Sequence, residues 1–104
     1  MLFLPLFDDA FALTGSDLNL RAYVETVRTI PGDAEGTFEH FVKICAGENN
    51  RLERPNVIVS SDTESFREQV FVNIPPNSCA HQGFTVEAED PSSITVKIIE
   101  SRNF

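Results

Sequence analysis

Hydrophobic and polar positions alternate along most of the chain, and this alternation predicts β-strands. Between 18 and 30, the even positions begin with Leu18, Leu20, Ala22 and Val24, while largely polar side chains occupy the odd positions. A period of two with many β-branched residues is typical of a strand with one buried face. Further short apolar segments lie between clusters of turn-forming residues, among them 31–36 and 60–64. They span 57–59, 70–74, 84–89 and 94–100.

These segments predict a mainly β fold, a small barrel or sandwich of about three antiparallel hairpins. Segments 57–59 and 70–74 flank a Ser/Asp/Thr-rich turn, and segments 84–89 and 94–100 flank Asp90-Pro-Ser-Ser93. Such turn clusters between apolar runs indicate hairpins. For the last hairpin, the alternation predicts five residues that face the core: Phe84, Val86, Ile94, Val96 and Ile98.

Residues 37–46 fit two secondary structures. A strand would place Phe38, His40, Val42 and Ile44 on one face, whereas a helix would bring Phe38 and Val42 together with Phe41 and Cys45. The β-branched and aromatic content favours the strand. If the segment is helical instead, the alternative fold is a two-layer α+β sandwich that resembles the ferredoxin-like class.

The N-terminal segment has a different period. Phe3, Phe7 and Phe11 are spaced four residues apart, with Pro5 suited to a first helical turn and Gly15 to the position after the last. We predict a helix at about 5–14, followed by a β-rich body at 18–101, within a single domain of 1–104. A helix leading into five or six strands is similar to the element order of SH3-like and Sm-like barrels, a similarity of architecture alone.

Charge and the N-terminus restrict the partners. The chain carries 16 acidic and 8 basic residues, a net charge of −8, which disfavours nucleic acid because the phosphate backbone is also anionic. The apolar N-terminus lacks a basic flank and is too short to span a bilayer. We therefore expect no signal peptide, no membrane partner, and an intracellular, cytoplasmic protein with reduced cysteines.

Two cysteines and two histidines are the candidates for metal binding or nucleophilic catalysis. His40 and Cys45 are five residues apart, a spacing that directs them to opposite faces of a strand. Cys79 and His81 share a face if extended, but one pair is too few for a zinc site. Cys79 has no Lys or Arg nearby to lower its pKa. We expect a buried Cys45, a Cys79 in a loop and no metal. The sequence does not decide whether the two cysteines form a disulfide.

Enzymatic motifs give little support for catalysis. The carboxylates at 33–35, 62–64 and 87–90 lack the spacing of a calcium loop. The chain contains no serine-nucleophile, phosphate-loop or dinucleotide-binding signature. No catalytic residue and no cofactor is predicted, and the balance leans away from an enzyme.

Apolar residues on strand faces that should be exposed to solvent suggest contacts with another protein surface. The predicted self-association surface consists of Phe3, Phe7, Phe11, Tyr23, Ile58, Phe71 and Ile99. We predict a non-enzymatic protein-interaction or assembly module, a structural protein whose partner is itself, as a homo-oligomer, or another protein. The alternatives are a small acidic inhibitor or immunity-type protein that binds a basic partner, and a small ligand-binding or enzymatic barrel that uses Cys79 and His81.

Overall fold

A computed structural model describes residues 22–101, which form eight β-strands and one short 3-10 turn at Pro91–Ser93. The strands are β1 (Ala22–Pro31), β2 (Thr37–Ala46), β3 (Leu52–Glu53), β4 (Asn56–Ser60), β5 (Ser65–Gln69), β6 (Asn73–Ile74), β7 (Cys79–Glu87) and β8 (Thr95–Glu100). The prediction of a mainly β chain is confirmed. The predicted N-terminal helix at about 5–14 lies outside the described residues.

The strands form three antiparallel sheets. Sheet I has the order β1-β2-β7, sheet II has the order β5-β4-β8, and β3 pairs with β6 in a small ladder. Over residues 22–101 the sheets do not close into a barrel, so the SH3-like or Sm-like alternative is not supported. The ferredoxin-like alternative is wrong because 37–46 is the ten-residue strand β2.

A single hydrophobic cluster joins the inner faces of both three-stranded sheets. Sheet I contributes even-numbered residues such as Val42, Ile44 and Val86, and sheet II contributes residues such as Val59 and Ile98. Burial at every second position follows from the strand period that the sequence shows. Because one core buries the inner faces of both sheets, these faces cannot bind a partner. The outer face of sheet I remains for other contacts.

Two turns were predicted correctly, and one hairpin was wrong. The chain reverses between β1 and β2, where Gly36 has a φ of 82° that favours glycine, and between β4 and β5. The second strand of the latter hairpin is Ser65–Gln69, earlier than the predicted 70–74. The predicted hairpin at 84–100 is absent, because β7 pairs with β2 in sheet I while β8 pairs with β4 in sheet II.

The connection at Asp90–Ser93 therefore crosses from one sheet to the other. Asp90 caps the 3-10 turn by accepting a hydrogen bond from Ser92 N–H at 2.9 Å. The core-facing residues of the predicted hairpin are nevertheless oriented as expected: four are buried and Val96 packs half-buried against the cluster. The alternation identified the buried face of each strand correctly, but it carried no information about which other strand it pairs with.

Candidate functional site: the outer face and free edge of sheet I

Odd-numbered residues of β2 and β7 form the outer face of sheet I. Cys45 and Cys79 lie directly opposite each other there, 4.0 Å apart at Cα, and are joined by a disulfide. The sequence left this disulfide undecided, and the expectation that Cys79 lies in a loop is wrong because Cys79 is the first residue of β7. Cys45 is only 1% exposed, whereas Cys79 is exposed. The disulfide ties the edge strand to the central strand.

The two histidines lie on opposite sides of sheet I. His40 points inward, where its Nδ1 lies 2.7 Å from the Thr29 hydroxyl, and its burial lowers its pKa. His81 is exposed on the outer face, next to Lys43 in the register. The predicted separation of His40 from Cys45 is confirmed. Within residues 22–101, no three His, Cys, Asp or Glu side chains come together in an arrangement suited to a metal ion.

The middle of the outer face is organised around Phe41 and Gly83. These residues are cross-strand partners, and a Cβ added to Gly83 would meet the Phe41 ring at 3.0 Å. The Arg28 guanidinium lies 5.2 Å from the centroid of the same ring, a cation–π distance. Phe41 therefore extends over the backbone of Gly83 and brings an aromatic surface to the edge of the sheet. Together with His81 it lines a shallow open depression of about 270 Å³.

Polar pairs flank this aromatic row on both sides. Lys43 Nζ lies 3.1 Å from Glu25 Oε1 on one side, and both side chains are partly exposed. On the other side, the Thr85 hydroxyl donates a hydrogen bond to Glu39 Oε2 at 2.7 Å. The Glu39 carboxylate is thus held over β7.

Within residues 22–101, no strand pairs with the outward half of the β7 backbone. Ala46 N–H donates to Ser78 O at 2.9 Å, and Ala88 N–H donates to Gly36 O at 3.0 Å. In an antiparallel ladder, hydrogen-bonded and non-hydrogen-bonded pairs alternate, so the even-numbered residues of β7 bond to β2. The odd-numbered residues direct their N–H and C=O groups away from the sheet. Within the described chain, β7 pairs with no strand other than β2.

Glu87 provides an independent check of this orientation. Its N–H donates to Glu64 Oε2 at 2.7 Å, and its C=O accepts a hydrogen bond from the Ser61 hydroxyl. Both contacts come from the β4–β5 turn and not from β2. The turn therefore occupies one end of the edge, whereas the outward groups of His81, Gly83 and Thr85 have no hydrogen-bond partner among the described residues.

The edge strands β1, β5 and β8 have features that discourage pairing with another chain, and β7 has fewer such features. β1 has an irregularity between Thr26 and Arg28 and ends at Pro31, and β5 is five residues long with two adjacent charges, Arg67 and Glu68. Bulges, Pro, charge and short length are the usual protections of edge strands. β8 contains Lys97 and lies against β1. β7 has nine residues, a regular register, and neither Pro, Lys nor Arg.

Several carboxylates predicted as separate clusters meet at one end of the molecule. Glu35, Glu87 and Glu89 line a shallow cavity of about 210 Å³ there. Asp62, in the β4–β5 turn, accepts hydrogen bonds from the backbone N–H groups of Glu89 and Asp90, each at 2.9 Å. These hydrogen bonds lower the pKa of Asp62. The cluster joins loops of the two sheets.

The residues of the predicted self-association surface are distributed over both sheets. Tyr23 is 40% exposed on the outer face of sheet I, and Phe71 is 76% exposed in the connection between β5 and β6. Ile58 and Ile99 are half-buried on adjacent strands of sheet II, where the Arg67–Glu100 pair at 3.4 Å spans β4. Phe3, Phe7 and Phe11 lie outside the described residues. The structure does not gather the four described residues into one row.

The sequence analysis did not predict the free edge of β7 or the contact between Phe41 and Gly83. The available signal was Gly83 directly before the apolar segment 84–89, since a glycine within a strand often marks close approach of another group. The predicted strand begins at Phe84, whereas β7 begins at Cys79. Its first five residues were therefore left out of the predicted sheet.

We compared the chain with family models, curated proteins and solved structures, and none of them matches it. In the described part of the chain, no helix is long and apolar enough to cross a membrane. A disulfide between Cys45 and Cys79 is typical of proteins that mature in an oxidising compartment. The expectation of reduced cysteines is therefore not supported, and the cysteines no longer argue for an intracellular protein.

Proposed function

We propose that this protein is a non-enzymatic interaction module that self-associates by adding a strand to the free edge of β7. The observation that supports the proposal is the run of outward backbone groups at His81, Gly83 and Thr85, which no strand within residues 22–101 pairs with. An exposed edge is a template for pairing with another chain, and strand addition is a recurrent mode of protein recognition.

The energetics are compatible with a reversible assembly. Each backbone hydrogen bond contributes only about 0.5–1.5 kcal/mol net, because water already solvates the free groups. Side chains beside the edge must therefore add to the interaction. Phe41 is suited to this role because its ring lies over Gly83 at the edge and is partly exposed.

The net charge of −8 opposes the approach of two copies at low ionic strength. Added salt should screen this repulsion, since the Debye length is about 10 Å at 0.1 M. An acidic chain could instead bind a basic protein, and that alternative predicts a monomer in isolation. The mass in solution therefore distinguishes self-association from binding to a basic protein.

The first prediction concerns Thr85→Pro. Proline removes the outward N–H of residue 85, but no hydrogen bond to β2 is lost because that N–H is not part of the ladder. Phe84 tolerates the following proline because it is extended. We expect light scattering to give a mass above 11.6 kDa for the unmodified chain, and the monomer mass for Thr85→Pro at the same concentration.

Thr85→Val is the matched control. Both variants lose the hydrogen bond from the Thr85 hydroxyl to Glu39, but only the valine variant retains the backbone N–H, so it should still associate where Thr85→Pro does not. Circular dichroism would establish that both variants are folded. A monomeric unmodified chain, or a Thr85→Pro variant that still associates, would contradict the proposal.

A further inference from the structure

We propose that the strand added to β7 is the β7 strand of a second copy, antiparallel and related by a two-fold axis at Gly83. This inference rests on the proposed function and specifies its partner and register. The two copies would form one continuous sheet through the edge. Such an interface is isologous, so each contact occurs twice.

The backbone restricts the extent of this pairing. A two-fold axis at Gly83 brings Gly83 opposite its own copy and His81 opposite Thr85 of the second copy. All three residues direct their N–H and C=O groups outward, so these facing residues form hydrogen-bonded pairs of an antiparallel ladder. Glu87 already uses its backbone groups within its own chain. The intermolecular ladder therefore ends at Thr85.

Charge favours this register. Glu39 is held over β7 by its hydrogen bond with Thr85, and neighbouring strands are about 4.8 Å apart. His81 of the second copy, opposite Thr85, therefore comes beside the Glu39 carboxylate, to which an imidazole N–H can donate. A parallel arrangement in the same register would bring Glu87 against Glu87 and His81 against His81. In the two-fold arrangement no like charges of β7 face each other.

Shape favours the same centre. Gly83 carries no side chain, and the Phe41 ring occupies the space above it, where an added Cβ would come within 3.0 Å of a ring atom. With Gly83 opposite its own copy, the two Phe41 rings approach each other across the axis. Aromatic pairs stabilise cross-strand contacts, and a larger residue at the centre would displace both rings. Gly83 and Phe41 together define the centre of the interface.

Charge reversal tests the register. In the full chain, His81→Glu places a carboxylate beside Glu39 of the second copy, and we expect the dissociation constant of the dimer to rise about tenfold, since two such contacts are affected. Glu39→Lys should also weaken the dimer, by placing Lys beside His81. Combining His81→Glu with Glu39→Lys should restore a dissociation constant close to that of the unmodified chain, measured by sedimentation equilibrium.

Glu35→Lys is the control for net charge. It changes the charge by the same amount as Glu39→Lys, but Glu35 lies in the turn between β1 and β2, beside Glu87 and beyond the end of the intermolecular ladder at Thr85. It should not rescue His81→Glu. Thermal melts would establish that every variant is folded, so that a loss of mass reports the interface.

The outcomes distinguish this inference from the proposed function. If Thr85→Pro abolishes association but the double charge reversal is no tighter than His81→Glu alone, the edge is used and the two-fold register is wrong. If the unmodified protein is monomeric throughout, both proposals are wrong. Restoration by the double variant, without restoration by Glu35→Lys, supports the register.

Discussion

At the scale of single residues, the two histidines illustrate how strand position determines chemistry. His40 and His81 are both on sheet I, but His40 faces the core and contacts Thr29, whereas His81 faces water beside the free edge. Burial penalises the charged imidazole and therefore lowers the pKa of His40. His40 is a structural residue, and His81 is the histidine available to a partner.

The second prediction follows from His40. Its ordinary pKa is 6.5 and its folded pKa is lower, so below about 6.5 the unfolded chain binds more protons than the folded one. The free energy of unfolding should therefore fall as the pH decreases through 6.5, and level off below the lowered pKa. In His40→Gln this part of the pH dependence should disappear.

Urea titrations between neutral pH and pH 5 would measure the effect. His81 is present in both proteins, so the difference between them isolates His40. Identical pH dependence in the two proteins would show that His40 does not titrate differently on folding.

At the scale of elements, the disulfide is the feature that most constrains β7. It joins the first residue of the edge strand to the central strand and closes a loop with a sequence separation of 34. The pair connects two strands that are far apart in sequence, with all of β3 to β6 between them. It therefore restricts the unfolded chain and anchors the beginning of the edge.

The third prediction concerns Cys45→Ala combined with Cys79→Ala. For a loop of this length, the chain-entropy account gives a loss of stability of about 4 kcal/mol. Urea unfolding should show this loss in the double variant. The oxidised unmodified protein should lose a similar amount when a reductant is added, and the variant should be insensitive to it. Equal stability of the variant and the oxidised protein would contradict the prediction.

At the scale of the whole molecule, hydrogen bonds between loops hold the two sheets together at one end. Asp62, in the turn of sheet II, binds the backbone N–H groups of Glu89 and Asp90, which follow β7 of sheet I. Asp62 N–H in turn donates to the Ser93 hydroxyl at 3.0 Å. These contacts replace the connection that a β7–β8 hairpin would have provided.

The fourth prediction is that Asp62→Asn lowers the melting temperature at neutral pH, because an amide offers only one acceptor oxygen to the two N–H groups. Hydrogen bonds from Glu89 and then Asp90 lower the pKa of Asp62 from 3.8. The stabilisation is therefore present above about 3.8 and is lost as the pH falls through the lowered pKa.

Calorimetry should accordingly show a gap in melting temperature between the two proteins that closes in acid. Asp33→Asn, at an exposed turn residue that makes no hydrogen bond within residues 22–101, is the control and should leave the melting temperature unchanged. A similar shift in both variants would indicate a general charge effect.

The local sequence predicted β1, β2, β4 and β8, the second half of β7, and the buried faces of these strands. The β-branched and aromatic content favoured a strand at β2, while alternation assigned Phe84, Val86 and Ile98 to the core and separated His40 from Cys45 by parity. Alternation succeeded because side-chain direction in a strand depends only on position along that strand. The turns at Gly36 and at 61–64 were also predicted, since their residue types favour chain reversal.

Only the tertiary structure decided which strands pair. The backbone groups of every strand are alike, so sequence periodicity does not distinguish a β7–β8 hairpin from pairing of β7 with β2. The choice depends on burying both faces of a shared core, which involves residues far apart in sequence. The disulfide, the free edge of β7 and the Phe41–Gly83 row all follow from that choice, and for this reason local patterns did not predict them.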